Sequence, residues 1–234
     1  MYEFKSRIRY SEVDCFGKLN IVGILNYFQD CSTFHTEESG IGVEKLHEED
    51  FVWVLSNWNV VITRYPRMGE SITIGTFPYE YKGIFGRRNY IMKDEAGQTL
   101  AMADTLWAFL NYKEGTLARI PKAIGMSQEM EPRLPIERVR GKIIIPEKLE
   151  EIEPVIITNR YIDVNQHVNN VQHVSIMLDC VENKDYGKVR VEYRKQVKPG
   201  EIVIPYVGNN ESGKLVVLKD KEGQVCSVME LDND

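Results

Sequence analysis

The sequence predicts an α+β protein of two tandem units, each a curved antiparallel sheet wrapped around one long helix. The first observation is an amphipathic helix at residues 21–38, long enough that its apolar face must be buried. The second is a run of β-branched and aromatic segments over residues 51–120, separated by glycine-containing turns. The third is a compressed copy of this order after residue 150. A helix followed by antiparallel strands is typical of α+β folds.

Charge and hydropathy exclude several classes of protein. The 234 residues suffice for one large or two small domains, and a 43% hydrophobic content is ordinary for a globular chain. The net charge of −6 gives no reason to expect nucleic acid or an anionic membrane as a partner. No stretch approaches the roughly 20 apolar residues of a membrane span. The N-terminus also lacks the apolar core of a signal peptide.

The cysteines indicate the compartment. Four are scattered along the chain, with no C-x-x-C pair and no Cys/His spacing suited to zinc: Cys15, Cys31, Cys180 and Cys226. Such cysteines are typical of reduced thiols in a cytosolic protein. We therefore expect a cytoplasmic protein with no metal and no cofactor.

Residues 1–125 are predicted to form the first unit. A strand at residues 2–9 alternates apolar and charged side chains, and Asn20 and Gly40 delimit the helix that follows. We expect strands at residues 51–64, 71–81, 87–93, 99–112 and 116–120. The apolar stripe of the helix contains Ile21, Ile24, Leu25, Phe28, Cys31, Phe34 and His35, the last as a packed histidine rather than a ligand.

Residues 126–148 are predicted to be a linker, because periodicity fades there while prolines and arginines accumulate. The second unit then spans residues 149–234. The candidate N-cap of its helix is Asn169 or Asn170. Its strands are expected at residues 152–157, 188–197, 201–207, 214–219 and 224–231. The buried stripe of this helix is predicted to be Val171, Val174, Met177, Leu178 and Val181.

Two stretches of the first unit recur in the second, in the same order. Residues 13–20 align with residues 162–169, and residues 60–74 align with residues 191–204. Each match lies at a helix or strand boundary, which indicates an internal duplication. The aligned pairs include Asp14 with Asp163 and Asn20 with Asn169.

The differences between the copies suggest a division of labour. Asn165 and His167 of the second unit align with Phe16 and Lys18, and Gln196, on its predicted strand, aligns with Tyr65. The second unit therefore carries a polar set that the first lacks, whereas the first is rich in aromatic residues. We expect chemistry in the second unit and binding of an apolar group in the first, where the candidate pocket residues are Trp53, Trp58, Phe77, Phe85 and Trp107.

Residues 163–170 carry the candidate chemistry. They combine a carboxylate, a histidine and three asparagines immediately before a helix N-terminus, where free N–H groups and the helix dipole favour negative charge. A carboxylate, a carboxamide and an imidazole that converge there can activate water and stabilise an oxyanion. The same string also fits an Asx-rich turn with a surface histidine.

Four motifs support a family resemblance. They are D-V-N-Q-H-V-N-N at 163–170, V-E-Y-R-K-Q at 191–196, D-T-L-W-A-F-L-N-Y at 104–112 and A-R-I-P at 118–121. In these, and over nearly its whole length, the chain resembles the acyl-acyl carrier protein thioesterases of plant plastids and many bacteria. The resemblance implies a double hotdog fold and release of free fatty acid from acyl carrier protein in fatty acid biosynthesis. It also implies that the N-terminal hotdog binds the acyl chain.

The resemblance places functional positions on Asp163, Asn165 and His167, and a further acidic position on Gln196. The chain departs from the family there, because a carboxamide cannot act as a general base. Plant members carry a cysteine at the next position, which is Val197 in this chain. A mechanism built on a glutamate or a cysteine in this strand is therefore not expected.

The expected mechanism uses the groups that are present. Asp163 is the general base toward water, or alternatively a nucleophile that forms an anhydride. Asn165, with a backbone N–H at the helix start, stabilises the oxyanion. His167 orients the carboxylate or protonates the leaving thiolate. Gln196 positions the water by hydrogen bonding.

Other functions stay open on the same fold. One is a thioesterase for acyl-CoA, another is a dehydratase of hydroxyacyl thioesters, and a third is a non-catalytic acyl-thioester sensor. A homodimer is also left open. Because acyl carrier protein is acidic, a basic docking patch favours it as the partner, and the candidate patch residues are Arg87, Arg88, Lys122, Arg133, Arg138, Arg140 and Lys142.

Overall fold

The computed structural model describes residues 1–138, 141–182 and 185–233, which form two compact units. The first unit comprises residues 1–56 and 60–138. The second comprises residues 57–59 together with the described residues from 141 onwards. Each unit combines an antiparallel sheet with one principal helix, which confirms the predicted α+β class.

The first unit contains strand β1 (Tyr2–Arg7), helices α1 (Ile21–Glu38) and α2 (Val43–Glu48), and five further strands. The strands follow the order β1-β3-β4-β5-β2, with β6 paired to β5. Helix α2 was not predicted, because six residues are too few for a periodic signal. The remaining elements are β2 (Phe51–Ile62), β3 (Ser71–Lys82), β4 (Phe85–Asp94), β5 (Thr99–Asn111), β6 (Thr116–Leu117) and helix α3 (Lys122–Met126).

Helix α1 has the predicted bounds, and its N-cap is Asn20, whose Oδ1 accepts a hydrogen bond from the N–H of Gly23 at 3.0 Å. Gly40 follows the helix with φ +70°, a conformation that suits glycine. The apolar stripe is buried against β3. The prediction that Phe34 belongs to this stripe is wrong, because its side chain is 45% exposed and contacts the ring of Phe4 edge-on. His35 is a packed histidine, as predicted, because it stacks on Tyr2 with ring centroids 5.1 Å apart.

The second unit contains β7 (Glu150–Glu151), β8 (Val155–Ile156), helix α4 (Asn170–Asp179) and four longer strands. The prediction of a single strand at residues 152–157 is wrong. Two short strands, β7 and β8, are found in this region instead, and both pair with β10. Helix α4 packs against β11 and β12, and its predicted stripe is buried. The longer strands are β9 (Lys188–Tyr193), β10 (Ile202–Asn210), β11 (Gly213–Asp220) and β12 (Val225–Asp232), in the order β9-β12-β11-β10.

The described residues between α3 and β7 form no helix or strand, and polar side chains fasten them to the sheets. In the first unit, the Oδ1 of buried Asn89 accepts from the N–H of Leu134 at 2.8 Å. In the second, the carboxylate of buried Glu192 accepts from the N–H of Ile143 at 2.7 Å. Ile143 also joins the apolar core formed with Leu215, Val217 and Val228. Residues on both sides of position 140 are therefore packed rather than loosely tethered.

Candidate active site

The polar cluster lies on a short loop between a 3₁₀ turn (Asn159–Tyr161) and helix α4. A bridge between Ile162 and Val168 closes the base of this loop. Within it, the N–H of Asp163 donates to the carbonyl of His167 at 3.0 Å, and the N–H of Gln166 donates to the carbonyl of Asp163 at 3.0 Å. Asn169 caps α4 through its Oδ1, which accepts from the N–H of Val171 at 2.9 Å. The loop is thus a defined turn that feeds a helix N-terminus.

Gln166 adopts a left-handed conformation, with φ +62°. A side chain at positive φ is strained relative to glycine, and such residues occur at functional sites. Sequence reasoning missed this feature although a signal was present: the repeat aligns Gln166 with Gly17, which has φ +72°.

Asp163 is half-buried at the start of the loop. Its Oδ1 accepts a hydrogen bond from the N–H of Asn165 at 2.8 Å. Burial raises the pKa of this carboxyl above its ordinary value, while the N–H of Asn165 and the neighbouring imidazole of His167 act in the opposite direction. Asp163 and His167 are therefore close enough to interact electrostatically.

One group of this loop and one at the start of α4 lack a hydrogen-bonding partner within the described ranges. The Oδ1 of Asn165 is buried and accepts no hydrogen bond there. The N–H of Asn170, the first residue of α4, donates to no acceptor there either. A buried orphan acceptor and a free helix-start N–H are the groups that a ligand or a water would satisfy.

Gln196 does not lie where the sequence placed it. Strand β9 ends at Tyr193, and Gln196 is exposed in the segment that follows, so its predicted strand position is wrong. The chain is nevertheless tied to the loop next to this position, because the N–H of Val168 donates to the carbonyl of Val197 at 2.9 Å. The structure thus groups Asp163, Asn165 and His167 on one loop and places Gln196 beside the end of it.

The first unit contains the same turn without the polar set. The N–H of Asp14 donates to the carbonyl of Lys18 at 2.8 Å, and the Oδ1 of Asp14 accepts from the N–H of Phe16 at 2.9 Å. The N–H of Leu19 donates to the carbonyl of Pro66 at 2.9 Å, as that of Val168 does to Val197. These matching bonds confirm the inferred duplication and its alignment.

The match between the two turns suggests which residue lies near Gln196. In the first unit, the Nζ of Lys18 lies 5.9 Å from the ring centroid of Tyr65, a cation–π contact. Lys18 and Tyr65 are the counterparts of His167 and Gln196. Positions 167 and 196 therefore occupy a pair of sites that, in the other copy, are in contact.

The aromatic residues expected to line a pocket in the first unit have diverse environments. Phe85 is 41% exposed, and Phe77 is fully packed at 2% exposure. Trp53 contacts the rings of Tyr81 and Phe109. Trp58 is buried and groups with the second unit.

Three of the seven residues of the predicted basic patch are buried or paired with a carboxylate. Arg88 is only 7% exposed, and its guanidinium donates to the Oε1 of Gln128 at 2.5 Å. It also lies 3.0 Å from the Nδ1 of His35, and burial together with this cation lowers the pKa of His35 to about 4. Arg87 and Arg138 both pair with Glu80. Of the others, Lys122, Arg133 and Lys142 are exposed, and Arg140 lies outside the described residues.

Two family models cover most of the chain. Residues 1–127 match the acyl-ACP thioesterase N-terminal domain, and residues 147–228 match the acyl-ACP thioesterase C-terminal domain. The chain belongs to the acyl-ACP thioesterase family. The family resemblance drawn from the motifs is thereby confirmed.

Similar proteins come from plants and bacteria. The palmitoyl-acyl carrier protein thioesterase of Cuphea hookeriana is 25% identical over 209 residues, covering 81% of this chain and 50% of the relative. The oleoyl-acyl carrier protein thioesterase 1 of Arabidopsis thaliana is 26% identical over 231 residues, covering 86% and 62%. The chain thus spans about half the length of the first of these curated relatives.

Solved structures of family members share the fold. An acyl-ACP thioesterase from Bacteroides thetaiotaomicron superposes with a TM-score of 0.89 at 19% identity, covering 98% of this chain and 96% of that one. The 12:0-ACP thioesterase from Umbellularia californica gives 0.86 at 18% identity, covering 99% and 96%. This acyl-ACP thioesterase family member has the predicted double hotdog fold, one hotdog in each unit.

Three further observations concern the described residues alone. None of their helices is long and apolar enough to cross a bilayer. They contain no group of three or more His, Cys, Asp or Glu side chains that could hold a metal ion. The four cysteines, all described, form no disulfide.

Proposed function

We propose that this protein hydrolyses the thioester of fatty acyl-acyl carrier protein and releases free fatty acid. The observation that carries the proposal is the loop before α4, which groups a half-buried carboxylate, a buried amide oxygen without a partner and a histidine. Family membership supplies the substrate class. In this proposal the first unit binds the acyl chain, the second performs the chemistry, and residues 126–148 connect them.

Asp163 is the general base. Its Oδ1 is held by the N–H of Asn165, which fixes the orientation of the carboxylate while leaving it further capacity to accept a proton from water. The raised pKa caused by burial makes the carboxylate a better base than a solvated aspartate. The water oxygen attacks the thioester carbonyl carbon, and its proton passes to Asp163.

The two orphan groups have roles in this step. The buried Oδ1 of Asn165 accepts a hydrogen bond from the attacking water, which places the water against the carboxylate. The free N–H of Asn170 at the start of α4 stabilises the negative charge that develops on the carbonyl oxygen. The sequence assigned the oxyanion to Asn165 together with a backbone N–H at the helix start; in this proposal the N–H alone stabilises the oxyanion, and Asn165 positions the water.

Collapse of the tetrahedral intermediate breaks the C–S bond. The thiolate of the phosphopantetheine arm leaves and takes up the proton that came from water, directly from Asp163 or by way of His167. The products are the free fatty acid and the thiol form of the carrier. Gln196, which is exposed beside the loop, contributes a hydrogen bond to water rather than proton transfer.

The test is direct. Purified protein is incubated with acyl-acyl carrier protein and, separately, with acyl-CoA of the same acyl chain, and free fatty acid is quantified. We expect release from the carrier substrate with a higher kcat/KM than from the CoA thioester, and its loss in Asp163→Asn. The spectrum of fatty acids released in a fatty-acid-synthesising host then gives the chain-length preference.

The alternatives give different outcomes in the same assays. Preference for the CoA thioester would identify an acyl-CoA thioesterase. Conversion of a hydroxyacyl thioester to the enoyl form without free fatty acid would identify a dehydratase. Tight acyl-thioester binding without turnover would indicate a sensor.

A further inference from the structure

The first unit bears an exposed surface around the turn that corresponds to the candidate catalytic loop. Three of its apolar side chains protrude into solvent: Tyr10 is 85% exposed, Phe16 is 75% exposed and Met68 is 53% exposed. Basic side chains on the same segments are Arg7, Arg9, Lys18 and Arg67. We name these seven residues the basic turn surface.

Hydrogen bonds of backbone and side-chain groups hold the three segments of this surface together. The N–H of Met68 donates to the carbonyl of Gly17 at 3.0 Å, which places Met68 beside Phe16. A bridge joins Lys18 to Arg67. The Nε of Arg7 donates to the carbonyl of Gly69 at 2.8 Å. The relative positions of these segments are therefore fixed by hydrogen bonds between residues that are distant in sequence.

The carboxylates near this surface are already engaged. Glu12 accepts hydrogen bonds from Arg9 and from the hydroxyl of Tyr27. Asp14 accepts from the N–H groups of its own turn, and Glu70 holds Arg64 through two hydrogen bonds.

Two of the cations are left uncompensated. Across the described parts of the chain, no carboxylate lies within 4 Å of the guanidinium of Arg7 or of Arg67. The four cations of this surface stand against Glu12, which pairs with Arg9, and Asp14, while Glu70 pairs with Arg64, so the surface keeps an excess of positive charge on a chain whose net charge is −6. Such a local field attracts an acidic partner against the overall charge of the protein.

Exposed apolar side chains ringed by charge mark interaction sites. A second copy of this chain is a poor occupant, because a two-fold interface apposes the same patch on both subunits and would bring the cations together. An acidic protein matches both the charge and the apolar centre.

We propose that the basic turn surface is the docking surface for the acidic acyl carrier protein. This inference rests on the proposed function and adds to it the place where the carrier binds. It also assigns a role to the duplicated turn: Phe16 and Lys18 stand where the second unit has Asn165 and His167, so this copy has exchanged a polar site for a binding surface.

The test compares two double charge reversals in the same unit. Lys18→Glu/Arg67→Glu alters the surface, and Lys82→Glu/Arg119→Glu makes the same change in net charge elsewhere. The control residues are exposed, and the N–H of Ile120 donates to the carbonyl of Gly83, so they lie near each other. Residue 82 is at the opposite end of β3 from Ser71, which pairs with Arg7, roughly 36 Å along the strand.

The readout is the ratio of kcat/KM for acyl-acyl carrier protein to kcat/KM for an uncharged small thioester of the same acyl chain. We expect this ratio to fall roughly tenfold in the Lys18/Arg67 variant, mainly through KM, and to change little in the control. Added salt should raise the KM of the wild type for the carrier more than that of the Lys18/Arg67 variant.

Each other outcome overturns the proposal in an identifiable way. An unchanged ratio, or an equal fall in the control, would exclude this surface as the docking site. A change in oligomeric state on size-exclusion chromatography would identify a second copy as its occupant. Loss of binding to anionic vesicles with an unchanged ratio would identify a membrane. If the wild type hydrolyses the small thioester without preferring the carrier, the proposed function itself fails, independently of the variants.

Discussion

The carboxylate of Asp163 accepts a hydrogen bond from the backbone N–H of Asn165 at 2.8 Å, and Asp14 makes the matching bond to Phe16 at 2.9 Å. The bond occurs in both units, so it shapes the turn irrespective of chemistry. The aspartate at this position accepts a hydrogen bond that stabilises the turn. Asparagine can replace it in this role, because the amide oxygen of asparagine accepts the same hydrogen bond. The charge of Asp163 can therefore be removed without removing the turn.

Asp163→Asn should retain the fold and lose most of its activity. The substitution keeps the acceptor for the N–H of Asn165 but removes the proton acceptor for water, so kcat should fall about 10²–10⁴-fold. The matched control is Asp14→Asn, which makes the same change in the first unit and should leave kcat near that of the wild type. Comparable losses in both variants, measured on proteins with native circular dichroism, would contradict the assignment of catalysis to the second unit alone.

The same substitution should raise thermal stability at neutral pH. Burial raises the pKa of Asp163, so its charged form is less favourable in the folded than in the unfolded protein. This cost is present above the folded pKa, shrinks as pH falls through it, and is absent below the ordinary value of 3.8. The Tm of Asp163→Asn should thus exceed that of the wild type at neutral pH, and the difference should vanish below pH 3.8. A lower Tm at neutral pH would contradict it.

Substitutions at Gln196 should have modest effects. Because Gln196 is exposed, its loss removes one hydrogen bond to water, and Gln196→Ala should lower kcat/KM about two- to tenfold. Gln196→Glu should not accelerate the reaction at any pH, since Asp163 already supplies the base. The measurement is a pH–rate profile of all three proteins on one acyl-carrier substrate. A large gain for the glutamate variant across the whole profile would assign the base to position 196.

Exchanging the left-handed residues of the two turns should change stability in opposite directions. Gln166→Gly relieves strain at φ +62°, which should stabilise the protein by about 1 kcal/mol. Gly17→Gln should cost a similar amount through backbone strain alone, because an added Cβ at Gly17 meets no atom within 4 Å. In a chain of this size that corresponds to Tm shifts of about 2–4 °C, measurable by calorimetry. If Gln166→Gly also lowers kcat, the strain contributes to the geometry of the site.

Much of the candidate site could be predicted because its signals are local. The helix bounds, the caps Asn20 and Asn169, and the loop that starts at Asp163 follow from periodicity and short-range hydrogen bonding. The repeat could be detected in the sequence because the same turn is formed by aligned residues in both copies.

The sequence by itself determined the fold class, the duplication and the loop on which Asp163, Asn165 and His167 lie together. Tertiary structure alone decided that Arg88 is buried rather than exposed, that Gln196 lies outside its strand, and that the turn at Gly17 meets Met68. The physical reason is the range of the interactions. Turns and caps form between neighbours in sequence, whereas burial and charge pairing depend on residues that only the folded chain brings together.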